Sequence, residues 1–145
     1  MSANFDKIRA TIVKTFQDNW TAGAPATLPL TAIRMPGQKF SRDSNAPRAR
    51  LSIQYGQRAA ATIGATRVRQ LGVAFLQVFV PEGGGTKVAN DAGDNLALIF
   101  DNESLAFLDG TGWIITKQAE SVGNLEREGY TQHNFSITFT HDQDS

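Results

Sequence analysis

The stretch from Val78 to Phe100, VFVPEGGGTKVANDAGDNLALIF, places three glycines, a threonine and a lysine between an apolar run and an amphipathic segment. Strand, glycine turn and helix in that order is the local layout of a phosphate-binding loop. There, backbone N–H groups converge on the phosphates, lysine reaches the terminal ones and a hydroxyl holds magnesium. That chemistry requires G-x-x-x-x-G-K followed directly by Ser or Thr. In this chain Thr86 precedes Lys87, Val88 occupies the hydroxyl position, and Val80 stands five residues before Gly85 where the first glycine belongs. The dinucleotide fingerprint G-x-G-x-x-G fails too, since Lys87 and Val88 follow Gly85 without the final glycine. A structural reading covers every residue present: Pro81 ends a strand, the glycines turn the chain, and Thr86 caps the next helix through its side-chain oxygen.

Other reactive residue types lead no further. His133 and His141 fall eight residues apart on one expected strand. At the usual rise that separates them by about 26 Å, too far to share an ion within one chain. Glu126 and Glu128 flank Arg127 in a glycine-bounded segment, the pattern of a solvated turn more than of an acid/base pair. The sequence has no cysteine, hence no thiolate nucleophile, no thiolate metal site and no disulfide framework, which suits a reducing compartment. G-x-S-x-G is absent, and a Ser–His–Asp set has no spacing signature of its own. No motif passes its mechanical test, so neither an enzyme nor a cofactor or metal is expected.

The charges are more informative. The 145 residues carry 14 basic and 14 acidic side chains, a formal net charge of zero that conceals a segregation. Residues 34 to 69 hold eight bases and one acid; residues 82 to 145 hold eleven acids and three bases. One consequence would be a nucleic-acid module using Arg48, Arg50, Arg58, Arg67 and Arg69. Against it, only Phe40 and Tyr55 are aromatic within the basic segment, too few for a stacking platform. Dispersal over a solvated surface is the blandest reading. The third is that one face of the molecule meets the opposite face of a copy of itself. On that reading Arg58, Arg67 and Arg69 are candidates for the basic side of a subunit contact, and Asp91, Asp94, Glu126 and Glu128 for the acidic side.

These residues need elements to position them. Length and a 41% hydrophobic fraction suit one globular domain over 1–145, with no apolar run long enough to span a membrane and no signal-peptide core at the N-terminus. Phe5, Ile8, Ile12, Phe16 and Trp20 recur at helical spacing, with Ser2 or Asn4 as the cap and Gly23 and Pro25 as the stop. LPLTAIRM holds one short strand, and PGQKFSRDSNAP reads as an exposed loop. PRARLSIQYGQ alternates, with Ala49, Leu51, Ile53 and Tyr55 on one face. A hairpin tip over 57–66 leads to a second strand, TRVRQLGVAFLQVFV, bent near Gly72 and central because its later part is apolar on both faces. The second helix buries Val88, Ala92, Leu96 and Ile99. NESLAFL reads as one more helical turn. GWIITKQAESVG and GYTQHNFSITFTH form a closing antiparallel pair joined through Gly123 to Gly129, the second with Thr131, His133, Phe135, Ile137, Phe139 and His141 on one face. The class is α+β: a mainly antiparallel sheet of four to five strands with two helices packed on one face.

Taken together, FDKIRATIVKTF, PRARLSIQYG, GVAFLQVFVPEGGGTKVANDAGDNLALIF and EGYTQHNFSITFTHD, in that order and spacing, resemble the tail-terminator-like proteins of long-tailed bacteriophages. The likeness covers nearly the whole chain, except 28–46 and 57–66. It implies a structural virion protein, made in the host cytoplasm, that assembles as a ring, typically a hexamer, on the end of the tail tube. The ring would stop tube polymerisation and offer the surface for the filled head. Its implied partners are its own copies, the tail-tube protein and a head connector or neck protein, with DNA in its lumen only in transit and no membrane. A neck or head-completion protein of the same fold is the alternative.

Overall fold

The computed structural model describes residues 4–39, 46–60 and 67–144. The apolar stripe of the first segment makes helix α1, Phe5–Asn19, and Ile8, Ile12 and Phe16 on it are buried completely or nearly so. Burial of each such side chain stabilises by about 1.5–3 kcal/mol, which anchors the helix to the sheet. Phe5, at the first turn, is exposed and tilts against Tyr55 with ring centroids 4.5 Å apart. Asn4 occupies the N-cap position but makes no capping bond. Its backbone is left-handed, and its side-chain amide lies 3.2 Å from Nε2 of His141. Ser2 lies outside the described residues. The helix tightens into a 3₁₀ turn at Trp20–Ala22 before Gly23. There the buried Trp20 indole donates to the Leu28 carbonyl at 3.0 Å.

Among the described residues the sheet has seven strands rather than four to five. A second 3₁₀ turn, Leu30–Ala32, leads into β1, Ile33–Arg34, which pairs parallel with Ala49 and Arg50. β2 (Arg48–Ala60) and β3 (Arg67–Pro81) form the long antiparallel hairpin; its tip, 61–66, lies outside the described residues, as do 40–45 of the expected loop. β3 then pairs along its whole length with β7 (Tyr130–Asp144), so it is central as expected. The other side of β7 is shared between β5 (Trp113–Thr116) and β6 (Glu120–Arg127), and β4 (Ser104–Ala106) pairs with β5.

Two local expectations are corrected. NESLAFL contains β4 and no helical turn, because α2 (Lys87–Phe100) is closed at its end by Thr116, whose buried hydroxyl donates to the Phe100 carbonyl and accepts from the Glu103 N–H at 3.0 Å. The segment from Gly123 to Gly129 is mostly strand; the turn is confined to Glu128-Gly129, and Gly123 marks a bulge between Ser121 and Asn124. The long hairpin is irregular beside Gly72: the register shifts on β2 between Tyr55, the partner of Gly72, and Arg58. Gly72 also makes room for the core, since a Cβ there would lie 2.3 Å from the Phe139 ring.

Both helices cover one face of the sheet. Ala74, Leu76, Val78 and Val80 of β3 and Ile137 and Phe139 of β7 meet Ile8, Ile12, Phe16, Ala92 and Leu96 in a single core. Val88 is only half-buried, and the inward side of α2 adds Ala89, Gly93, Asn95 and Phe100 to the expected stripe. Asn95 Nδ2 donates to the Trp20 carbonyl at 2.7 Å, which ties α2 to the end of α1. The outcome is the α+β class read from the sequence, with a mixed, mostly antiparallel sheet.

Candidate functional site

The glycine turn is committed to the fold. Gly84 donates its N–H to the Pro81 carbonyl at 2.9 Å, and Glu82 donates to the Gly129 carbonyl at 3.0 Å, binding the turn to the β6–β7 hairpin. Gly83 and Gly85 have φ of 83° and 75°, a backbone region costly for other residues. Lys87 pairs with Asp91 one turn along α2 at 3.1 Å instead of standing over the turn. Thr86 is at the N-cap position, yet its side chain makes no cap bond, so the expected hydroxyl cap is corrected to a cap by position alone.

The two histidines are parts of the core face. His141 Nδ1 lies 2.9 Å from the Trp113 carbonyl and so carries the proton, leaving Nε2 to accept from Asn4. His133 is 3% exposed, its Nε2 has no hydrogen-bond partner among the described residues, and burial holds its pKa below the usual imidazole value. No cluster of three or more metal-binding side chains exists among the described residues.

The charged candidates occupy opposite ends of the long strands. Arg58, Arg67 and Arg69 all sit near the hairpin tip and are exposed. One extra residue in β2, where Gly56 and Gln57 stand opposite Leu71 alone, puts Arg58 in register with Gln70 and Ala59 in register with Arg69. Arg58 therefore shares the helix-side face with Gln70, and Arg69 faces the other way. Gln70, a buried residue that the pattern of charges does not reveal, fixes this geometry: its Nε2 donates to the Gly56 and Leu71 carbonyls at 2.8 and 2.7 Å. Arg69 is not available as a free charge. Its Nε and Nη2 donate to the two carboxylate oxygens of Asp142 on β7 at 2.7 and 2.9 Å, which raises the guanidinium pKa and lowers that of Asp142. Arg67 stands in register with Asp144.

On the acidic side, Glu126 is on β6 and Glu128 in the turn that follows, both exposed, at the end of the sheet remote from the arginines. The register from Arg67↔Asp144 to Pro81↔Tyr130 sets those ends roughly 45 Å apart at the usual strand rise. Asp94 on α2 lines a recess of about 250 Å³ with Gly93, Ala97, Glu120 and Phe135. Asp94 and Glu120 are thus brought together, whereas Asp91 is paired with Lys87 and Glu126 and Glu128 lie on the far hairpin.

An apolar surface accompanies the charges. Trp113 and Ile115 on β5 are about half exposed, and Ile115, Thr140 and Leu71 lie in one cross-strand row on the helix-free face. The signal in the sequence is the alternation of WIIT, which buries Ile114 and Thr116 and so turns Trp113 and Ile115 outward.

No curated protein matches the chain by sequence. One solved structure superposes with a TM-score of 0.71 at 21% identity, covering 97% of this chain and 96% of that one, a likeness of fold. The family model described as phage tail terminator protein matches residues 7–139. With a family match over most of its length, the chain belongs to the phage tail terminator family, structural and non-enzymatic components of the phage tail.

Proposed function

We propose that the chain assembles head to tail into a closed ring, typically a hexamer, on the end of the tail tube, stops tube polymerisation there and presents the surface on which the filled head docks. Family membership implies association with the tube. The observation that carries the ring is the placement of unlike surfaces. A basic hairpin end with Arg58, Arg67 and Arg69 lies at one end of the long strands, and Glu126 and Glu128 at the other, with Asp94 on α2. Contacts between two different patches of the same chain generate rings when the rotation closes. Charges set orientation and encounter rate, and the row of Leu71, Ile115 and Trp113 offers apolar area for affinity.

Two measurements test this. Mass in solution across a range of concentrations should reveal one discrete ring above a threshold. Purified tube protein, polymerised with increasing amounts of the chain, should give progressively shorter tubes with the chain at one end. Tube lengths that do not respond to the chain would remove the terminating role.

A further inference from the structure

Among the described residues the sheet leaves a long edge open on each side, and the two differ in the sign of their net charge. On one side, β1 covers only Ala49 and Arg50, so from Leu51 to Ala60 β2 is paired, among the described residues, on its β3 side alone. On the other side, β6 is paired, among the described residues, only with β7, and each of its eight residues is exposed. Among the described residues, neither 51–60 nor 120–127 makes an outward backbone hydrogen bond to another element. Unpaired N–H and C=O groups along such edges are templates for another strand, and native proteins leave them open at the risk of aggregation unless the edge is used or blocked. Beyond the stretch that β1 covers, residues 51–60 contain Arg58 and no acid; residues 120–128 contain Glu120, Glu126 and Glu128 against Arg127.

We infer that the β6 edge of one copy adds to the β2 edge of the next, so that the sheet continues from subunit to subunit. The inference rests on the ring reading and specifies its contact. Like edges gain nothing from charge: two β6 edges would bring together two net-negative strands, and two β2 edges two strands whose one charge is Arg58. A two-fold edge dimer is therefore disfavoured, while the unlike pair is favoured, the arrangement by which specificity is achieved through repulsion as well as attraction. Main-chain hydrogen bonds supply affinity in strand addition, and alternate side chains supply selectivity. The bulges limit where a straight partner fits. On β6 the regular stretch is Asn124 to Arg127, with Leu125 44% exposed; on β2 it is Leu51 to Tyr55, before the shift to Arg58. Because the two edges lie on opposite sides of the sheet, the contact is heterologous and propagates in one direction, as a ring requires.

The chain has no native cysteine, which permits a direct test. Gln54→Cys on β2 and Asn124→Cys on β6 are made as separate full-length proteins, assembled alone and as a mixture, and treated with a short bismaleimide. Both positions are exposed. The expected result is cross-linked dimer in the mixture and none with either variant alone, together with amide hydrogen exchange slowed within 51–60 and 120–127 on assembly. A ring by mass that cross-links only between like variants, or not at all, with edge amides exchanging as in the monomer, overturns this contact and leaves the ring standing. A parent chain that stays monomeric at every concentration overturns the ring reading and, with it, this one.

Discussion

Gly72 and Thr86 illustrate how differently two residues of similar appearance in the sequence are constrained. A Cβ at Gly72 would lie 2.3 to 2.9 Å from three atoms of the fully buried Phe139 ring, which has nowhere to retreat within the core. Gly72→Ala is expected to destabilise by about 1–3 kcal/mol, the usual cost of overpacking. Urea denaturation should show this, and Phe139→Leu in the same chain should recover part of the loss. Thr86→Ala, by contrast, removes no cap bond, and its effect should stay within about 0.5 kcal/mol, as for an ordinary surface substitution. His133 adds a pH dependence. Its folded pKa is lowered by burial from the ordinary 6.5, so the unfolded chain takes up its proton first as pH falls. The neutral imidazole is fully compatible with the fold above about pH 6.5, and stability declines as pH drops from there toward the depressed folded value. Denaturation midpoints between pH 7.5 and 5 should fall for the parent, and the decline should be shallower in His133→Gln.

At the scale of elements, α1 is held by side chains rather than by its own ends. It has no side-chain N-cap and no basic residue in its last turn, whereas Ile8, Ile12 and Phe16 are each 0–1% exposed. Ile12→Asp would bury an unpaired carboxylate against the sheet, a cost of several kcal/mol that the core cannot offset. Loss of soluble folded protein is expected, read by circular dichroism and size exclusion. Ala10→Asp, on a half-buried position at the margin of the same helix, should leave a folded chain. The distal part of the β2–β3 hairpin depends on a different device. The buried Gln70 amide holds two carbonyls at the bulge, and thereby decides which face Arg58 and Arg69 present.

The whole molecule sets opposite charge on separate ends, and this governs how assembly is best probed. Reversing Arg69 would confound two effects, because a glutamate there would repel Asp142 within the same chain. Arg58 is exposed and shares no ion pair among the described residues, so Arg58→Glu is the cleaner variant. It should slow assembly without changing the denaturation midpoint of the monomer, and Glu126→Lys in the same or a mixed chain should restore part of the rate. Salt should act likewise, since the screening length falls from about 10 Å at 0.1 M to about 3 Å at 1 M. Light scattering after a concentration jump would measure both. Assembly rates indifferent to Arg58→Glu and to salt would mean that apolar and main-chain contacts alone direct the copies.

Periodicity alone determined the stripe of α1, the buried alternation of β2 and β7, the central position of β3 and the α+β class, because burial of one face imposes a spacing of 3.6 or 2 on the residues themselves. The failure of the glycine turn as a phosphate loop was also legible, since that chemistry requires particular residues at particular offsets. The tertiary structure decided what spacing cannot carry. Ser104–Ala106 is a strand only because Trp113–Thr116 lies beside it, and Thr116 can close α2 only after both have come together. The bulge at Gly56 and Gln57 reverses the face of every residue beyond it, a change that turns on one buried glutamine fourteen residues away. Pairing between distant segments likewise determined which charges are already satisfied, as in Arg69 with Asp142, and which sheet edges are left open. Local pattern records what a residue prefers to face, whereas neighbours remote in sequence settle what it meets.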